Sequence, residues 1–126
     1  MPLKSRSLFS HVVRHGRRIR ESSGMLRLYA LLSAERSGRL AVGVIIPRSV
    51  CPHAVGRNRL RRLLRESIRL VCRQRPQLVE PYAVLIVRWI GTPKLPCKQL
   101  YLQQVYPLLQ TALEYAQKTE PPVGTV

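Results

Sequence analysis

Residues 57–73 read RNRLRRLLRESIRLVCR. Seven arginines fall in these seventeen residues, and the apolar positions between them recur at helical spacing. Wound at about 100° per residue, Arg57, Arg61, Arg62, Arg65, Arg69 and Arg73 sweep one side. Leu60, Leu63, Leu64, Leu70 and Val71 hold the other, with Ile68 on the border. One side can dock on a core while the other presents a row of guanidinium groups. Guanidinium is planar and two-pronged, and it grips phosphate oxygens in pairs. The stretch predicts a helix that binds a polyanion, and nucleic acid is the natural class.

The rest of the chain agrees in charge and size. Its 126 residues suffice for one domain with a sizeable core. A hydrophobic content of 45% argues against disorder. Formal net charge is +16, and it is lopsided. Residues 1–75 carry 18 Lys and Arg against Glu21, Glu35 and Glu66, whereas residues 76–126 carry four against Glu80, Glu114 and Glu120. Such a field steers anions to one side of the molecule. A solvated basic surface or an anionic membrane is the bland alternative. No lipidation motif and no long apolar anchor supports the membrane reading. No apolar run approaches the ~20 residues of a membrane span, and the N-terminus has no signal-peptide core.

What is missing narrows the chemistry. There is no aspartate, and the six glutamates are scattered. Metal-dependent nucleases need clustered carboxylates to hold their ions. A triad needs an orienting acid near a histidine and a nucleophile. Cys51, Cys72 and Cys97 are odd in number, with no CxxC pair, and His11, His15 and His53 complete no zinc pattern. Three reduced thiols in a cytoplasmic protein are expected. So is the absence of a catalytic centre built from protein, and of any metal site.

Ser5 or Ser7 caps a first helix that runs to His15, with Leu8, Phe9, Val12 and Val13 as its apolar face and Gly16 at its end. Residues 17–24 read as a basic loop. Residues 25–33 read as a strand that puts Leu26, Leu28, Ala30 and Leu32 on one side and Arg27 and Tyr29 on the other. A turn at 34–39 leads to a second strand at 40–46, so the two strands read as a hairpin. Pro47 and Pro52 mark a connection into the arginine helix, which spans 54–75 and stops at Pro76. Residues 82–90 (YAVLIVRWI) form a third strand, apolar enough for burial on both faces except at Arg88. After a loop at 91–96, a final helix covers 97–117, bent or restarted at Pro107. Residues 1–118 make a single RNA-binding domain, and 119–126 (TEPPVGTV) a flexible tail. The order α-β-β-α-β-α gives a two-layer α/β (α+β) sandwich of helices on a sheet.

Residues 40–70, LAVGVIIPRSVCPHAVGRNRLRRLLRESIRL, resemble the protein subunit of bacterial ribonuclease P. The likeness rests on Arg57-Asn58-Arg59, Arg61-Arg62 and Arg65-Glu66, with FSHVVRHG at 9–16 and LRLYAL at 26–31 similar to the family's first helix and strand. It covers residues 3–115. The resemblance implies a left-handed βαβ crossover and the fold of the second domain of ribosomal protein S5. That hand is rare, since parallel crossovers are right-handed in ~98% of cases. It also implies a ribonucleoprotein enzyme that removes the 5′ leader of precursor tRNA. There the RNA subunit holds the catalytic Mg2+ and hydrolyses the bond, and the protein, a monomer in a 1:1 complex, binds no cofactor of its own.

Carried over residue by residue, Arg57, Asn58, Arg59, Arg61, Arg62 and Arg65 match the motif that contacts the catalytic RNA. Phe9, Val13, Arg27, Tyr29, Arg48 and Arg88 match the lining of a cleft that holds single-stranded leader. Asn58 and Arg65 equally suit fixing the helix to its neighbours, with Glu66 or Glu21 as partner for Arg65, and Arg59 suits packing through its stem. For Phe9 and Tyr29, a core place and an RNA-facing place are both open. Two positions depart from the family pattern. Val13 stands where many members have a second aromatic, and Pro47-Arg48-Ser49 stands where two adjacent lysines are usual. Three other readings compete. A structural or ribosomal-type RNA-binding protein would share the helix but need no cleft. A self-sufficient ribonuclease would need a pair such as His15 with Glu21 or His53 with Glu66. A DNA-binding basic helix would call for a dimerising zipper, and none follows.

Overall fold

The structure is a computed structural model and describes residues 6–20, 24–32, 40–91 and 101–119. In chain order the elements are α1 (Arg6–His15), β1 (Arg17–Arg20), β2 (Leu26–Leu32), β3 (Ala41–Ile45), α2 (Ala54–Gln74), a single 3-10 turn (Pro76–Leu78), β4 (Tyr82–Trp89) and α3 (Leu102–Thr119). The expected turn at 34–39, most of the loop at 91–96, the start of the last helix at 97–100 and most of the tail lie outside the described residues.

β4 is the key to the arrangement. Its residues 82–87 are all buried, so both of its faces need cover and both of its edges need partners. It obtains them: the sheet order is β1-β2-β4-β3. β4 runs antiparallel to β2 and parallel to β3. Parallel neighbours need a crossover, and α2 supplies it. The expected hairpin of the second and third strands is therefore not formed, because β4 lies between them. A hairpin would have pushed the most apolar strand to the sheet's edge. The second departure is β1, a strand where a basic loop is expected. It pairs antiparallel with β2, and its Ile19 is buried.

Strand alternation sends two sets of side chains to opposite faces. Leu26, Leu28, Ala30, Val42, Leu85, Val87 and Trp89 join α2 and α3 in the main core. From α2 the buried positions are Gly56, Leu60, Leu64, Ser67, Ile68 and Val71. Ile68 thus belongs to the core, while Leu63 and Leu70 are only half-buried. Buried Ser67 donates its hydroxyl to the Leu63 carbonyl, 2.8 Å away, so it needs no outside partner. Arg75 at the end of α2 pairs with Glu114 of α3; both are half-exposed, so the pair adds little stability. Pro107 lies inside α3, which continues through it. This is the expected sandwich. Among the described elements α1 covers the second face, where Val12, Tyr29, Ala83, Val84 and Ile86 form a smaller core.

Two glycines let α1 approach. A Cβ on Gly16 would lie 2.4 Å from the Val12 carbonyl oxygen and 2.8 Å from that of Ala30. A Cβ on Gly43 would lie 2.7 Å from the Phe9 ring. Cys51 departs from expectation, being disulfide-bonded, whereas Cys72 is a free thiol as expected; Cys97 lies outside the described residues. No helix among the described residues is long and apolar enough to cross a membrane.

Both atoms that crowd Gly16 are backbone and cannot swing aside. Gly16→Ala should cost about 1–3 kcal/mol, read as a lower urea midpoint at unchanged m. An unchanged midpoint would show that the α1–β2 contact is loose.

Candidate nucleic-acid interface

The outward side of α2 carries Asn58, Arg62, Arg65, Arg69 and Arg73, all exposed. Asn58, Arg61, Arg62, Arg65, Glu66 and Arg69 line an open hollow of about 550 Å³. Within it Arg61 donates to Asn58 Oδ1 at 2.9 Å, and Arg69 pairs with Glu66 at 3.1 Å. Glu66 therefore serves Arg69 rather than Arg65. Among the described residues Arg62 and Arg65 make no hydrogen bond or ion pair, so both are open to an incoming phosphate. The first turn of α2 has no acidic residue, and His53 at its N-cap makes no side-chain capping hydrogen bond. The positive end of the helix thus adds to the same field.

Two arginines of the motif work inside the protein. Arg57 donates to the carbonyls of Cys51 at 3.0 Å and Pro52 at 2.9 Å. It clamps the β3–α2 connection over the start of α2. The Arg59 guanidinium lies 5.4 Å from the centroid of the Tyr101 ring, a cation–π contact. The six motif residues thus divide into a solvent-facing set, Asn58, Arg61, Arg62 and Arg65, and an anchoring pair, Arg57 and Arg59.

A second basic surface lies on the α1 side of the sheet. The register aligns Arg20, Arg27, Arg88 and Ile45 in one row across β1, β2, β4 and β3. The next row on that face holds Arg18, Tyr29, Ile86 and Gly43. Like charges directly opposite each other across strands are destabilising, and an anion laid along the row would relieve this. The Nε atoms of Arg27 and Arg88 are buried without a hydrogen-bond partner. Burial pushes the Tyr29 phenol up, but hydrogen bonds from Arg27 and Arg88 and their charges outweigh it, and its pKa is lowered. Tyr29 is 3% exposed, so its ring is core and its hydroxyl is the part that meets the arginines. Phe9 and Val13 on α1 are half-buried, with the Phe9 ring against Gly43. Arg48 is exposed in the turn beyond β3, whose last residue, Ile45, is the register partner of Arg88.

Among the described residues no group of three or more His, Cys, Asp or Glu is placed to hold a metal ion. The family model for ribonuclease P matches residues 1–111. The chain belongs to that family. It is 37% identical over 86 residues to the ribonuclease P protein component of Synechococcus sp. (strain JA-2-3B'a(2-13)), a match covering 68% of this chain and 62% of that protein. Its fold is similar to that of the RNase P protein of Staphylococcus aureus, with a TM-score of 0.68, 18% identity, and coverage of 92% of this chain and 94% of the other. The likeness to the RNase P protein of Thermotoga maritima has the same TM-score at 16% identity, covering 91% and 96%. At such identities the two structures speak for the fold alone.

Two features of this family member escaped the sequence reading. Arg18 and Arg20 stand at the register positions that continue these rows, but RRIR is too short to show strand alternation. Tyr101 meets Arg59 from 42 residues away in the chain. Arg69, placed on the arginine side by the helical projection, shares the hollow on α2.

Arg57→Ala should destabilise the protein by about 1–2 kcal/mol, because it leaves two carbonyls without their donor. Arg62→Ala should stay within about 0.5 kcal/mol of the parent. Urea denaturation decides, and equal effects would contradict the division drawn here. A spectrophotometric titration tests the Tyr29 environment. Subtracting the curve of Tyr29→Phe from that of the parent should leave a tyrosinate midpoint below the ordinary value of 10.0. A group with a depressed folded pKa stabilises as pH rises through that pKa. The stability gap between parent and variant should therefore widen in the parent's favour toward pH 10.

Proposed function

We propose that this chain is the protein subunit of a bacterial ribonuclease P. It binds the catalytic RNA and the 5′ leader of precursor tRNA, and it assists endonucleolytic removal of the leader. The observation that carries the proposal is the outward face of α2, where Arg62 and Arg65 have no partner among the described residues, in a chain of this family.

The chemistry follows from what the side chains offer. Guanidinium groups cannot ligate a cation, so this protein's surfaces bind phosphate and leave Mg2+ and hydrolysis to the RNA. Each neutralised phosphate releases counterions, which reduces the ionic demand of bringing RNA strands together. α2 anchors the protein on the catalytic RNA. The arginine rows on the α1 side of the sheet take the leader's phosphates, with the Tyr29 hydroxyl held between Arg27 and Arg88. Phe9 is the remaining aromatic of that cleft, because Val13 offers no ring for stacking and Tyr29's ring is buried. The working assembly is a 1:1 complex of a monomeric protein with its RNA, in the cytoplasm.

The test is precursor-tRNA cleavage at low Mg2+ by a bacterial ribonuclease P RNA, with and without this protein. The protein alone should be inert, and adding it should restore correct 5′ cleavage by the RNA. A folded preparation that stimulates none of several such RNAs would overturn the proposal. Cleavage by the protein alone would overturn the division of labour.

A further inference from the structure

We propose that Tyr101, backed by Arg59, is a stacking platform for one unpaired base of the RNA that α2 grips. The inference rests on the RNA-binding function proposed above and adds a contact outside the arginine motif and outside the cleft.

Tyr101 is 57% exposed although the Arg59 guanidinium sits over its ring. An exposed aromatic of this size has little to gain from water, and a ring with a cation over it is already oriented. Its backbone is fixed as well. Tyr101 precedes the first residue of α3, and its N–H donates to Gln104 Oε1 at 2.8 Å, the reach-back half of a capping box. Arg59 also lines an open hollow of about 370 Å³ with Val55, Asn58 and Arg62. Among the described residues no acidic one lines it, and Val55 is 74% exposed. An oriented ring, a guanidinium over it, an apolar contact and a free cation in Arg62 are the parts that single-stranded nucleic acid needs. The base stacks on the ring, and its phosphate falls to Arg62.

Binding of the full chain to a bacterial ribonuclease P RNA, measured across a salt series, tests this. Tyr101→Ala should weaken binding on the order of 5- to 150-fold, the usual range for losing one stacked base. The slope against log salt should not change, because stacking releases no counterions. Tyr101→Phe should bind within about twofold of the parent, since the ring suffices. In Tyr101→Trp the new indole is exposed whereas Trp89 is buried, so its fluorescence should be quenched by the RNA. An unquenched indole overturns the inference even if Tyr101→Ala folds poorly. A slope reduced by about one in Tyr101→Ala would mean that Tyr101 only holds Arg59 on a phosphate, which also overturns stacking. If Tyr101→Ala binds like the parent while Arg62→Ala with Arg65→Ala loses affinity and about two units of slope, the platform fails and the RNA-binding function stands. If the parent binds none of these RNAs, both fail.

Discussion

Everything in this fold depends on hiding both faces of β4. Six consecutive buried residues from Tyr82 to Val87 leave no side of that strand for water. The sheet must surround it, so β2 and β3 flank it. The helices must cover it from both sides, so α2 and α3 take one face and α1 the other. The parallel pairing with β3 requires a long connection on one face, and the arginine helix is that connection. Leu60, Leu64, Ile68 and Val71 press it onto the sheet, which fixes the rotation of α2. The same rotation turns Arg62, Arg65 and Arg69 outward. Placement of the basic face is thus a consequence of core burial and needs no contact among the arginines themselves.

The charge has a cost that the fold only partly answers. A chain at +16 repels itself when compact. Some arginines are absorbed: Arg57 by two carbonyls, Arg75 by Glu114, Arg69 by Glu66, Arg59 by an aromatic ring. Arg62 and Arg65 are not, and neither are the buried Nε atoms of Arg27 and Arg88. The unabsorbed groups collect on two surfaces instead of scattering. Structural need explains the first set, and the second presents guanidinium groups of the kind that pair with phosphate.

The apolar periodicity of residues 60–71 and the continuous apolar run at 82–87 were legible because each signal is longer than its element's repeat. They supplied the helix, its buried face and the interior strand. Strand order was not legible, because β4 inserts between two strands that both precede it in the chain, and that pairing leaves no local sequence signal. β1 was not legible because four residues with one apolar position carry no period. In the candidate site, Arg62 and Arg65 could be placed by helical projection. The inward work of Arg57 and Arg59 could not, since carbonyl acceptors carry no sequence signal and Tyr101 is distant in the chain. Tyr29 was ambiguous by pattern, and the structure divides it: the ring is core, the hydroxyl belongs to the arginines.

The connection between β3 and α2 joins the two basic surfaces. Ile45, its first anchor, is the register partner of Arg88 in the cleft. Ile46 and Cys51 are buried, and the turn between them is closed by bonds from the Val50 and Cys51 N–H groups to the Pro47 carbonyl. Arg57 then clamps Cys51 and Pro52 to α2. That path is pinned at Ile46, Val50, Cys51 and Pro52, so the basic surface on the α1 side of the sheet and the arginine helix cannot drift apart without breaking these contacts. If the two surfaces hold a substrate strand and a catalytic RNA, as proposed above, such stiffness has a direct use. The separation of the two ligands is set before either binds, so less orientational freedom is lost on assembly. A flexible linker between the same two surfaces would supply the same charges and lose that advantage. Arg57, an anchoring residue by its contacts, thereby serves the proposed function through geometry and not through phosphate.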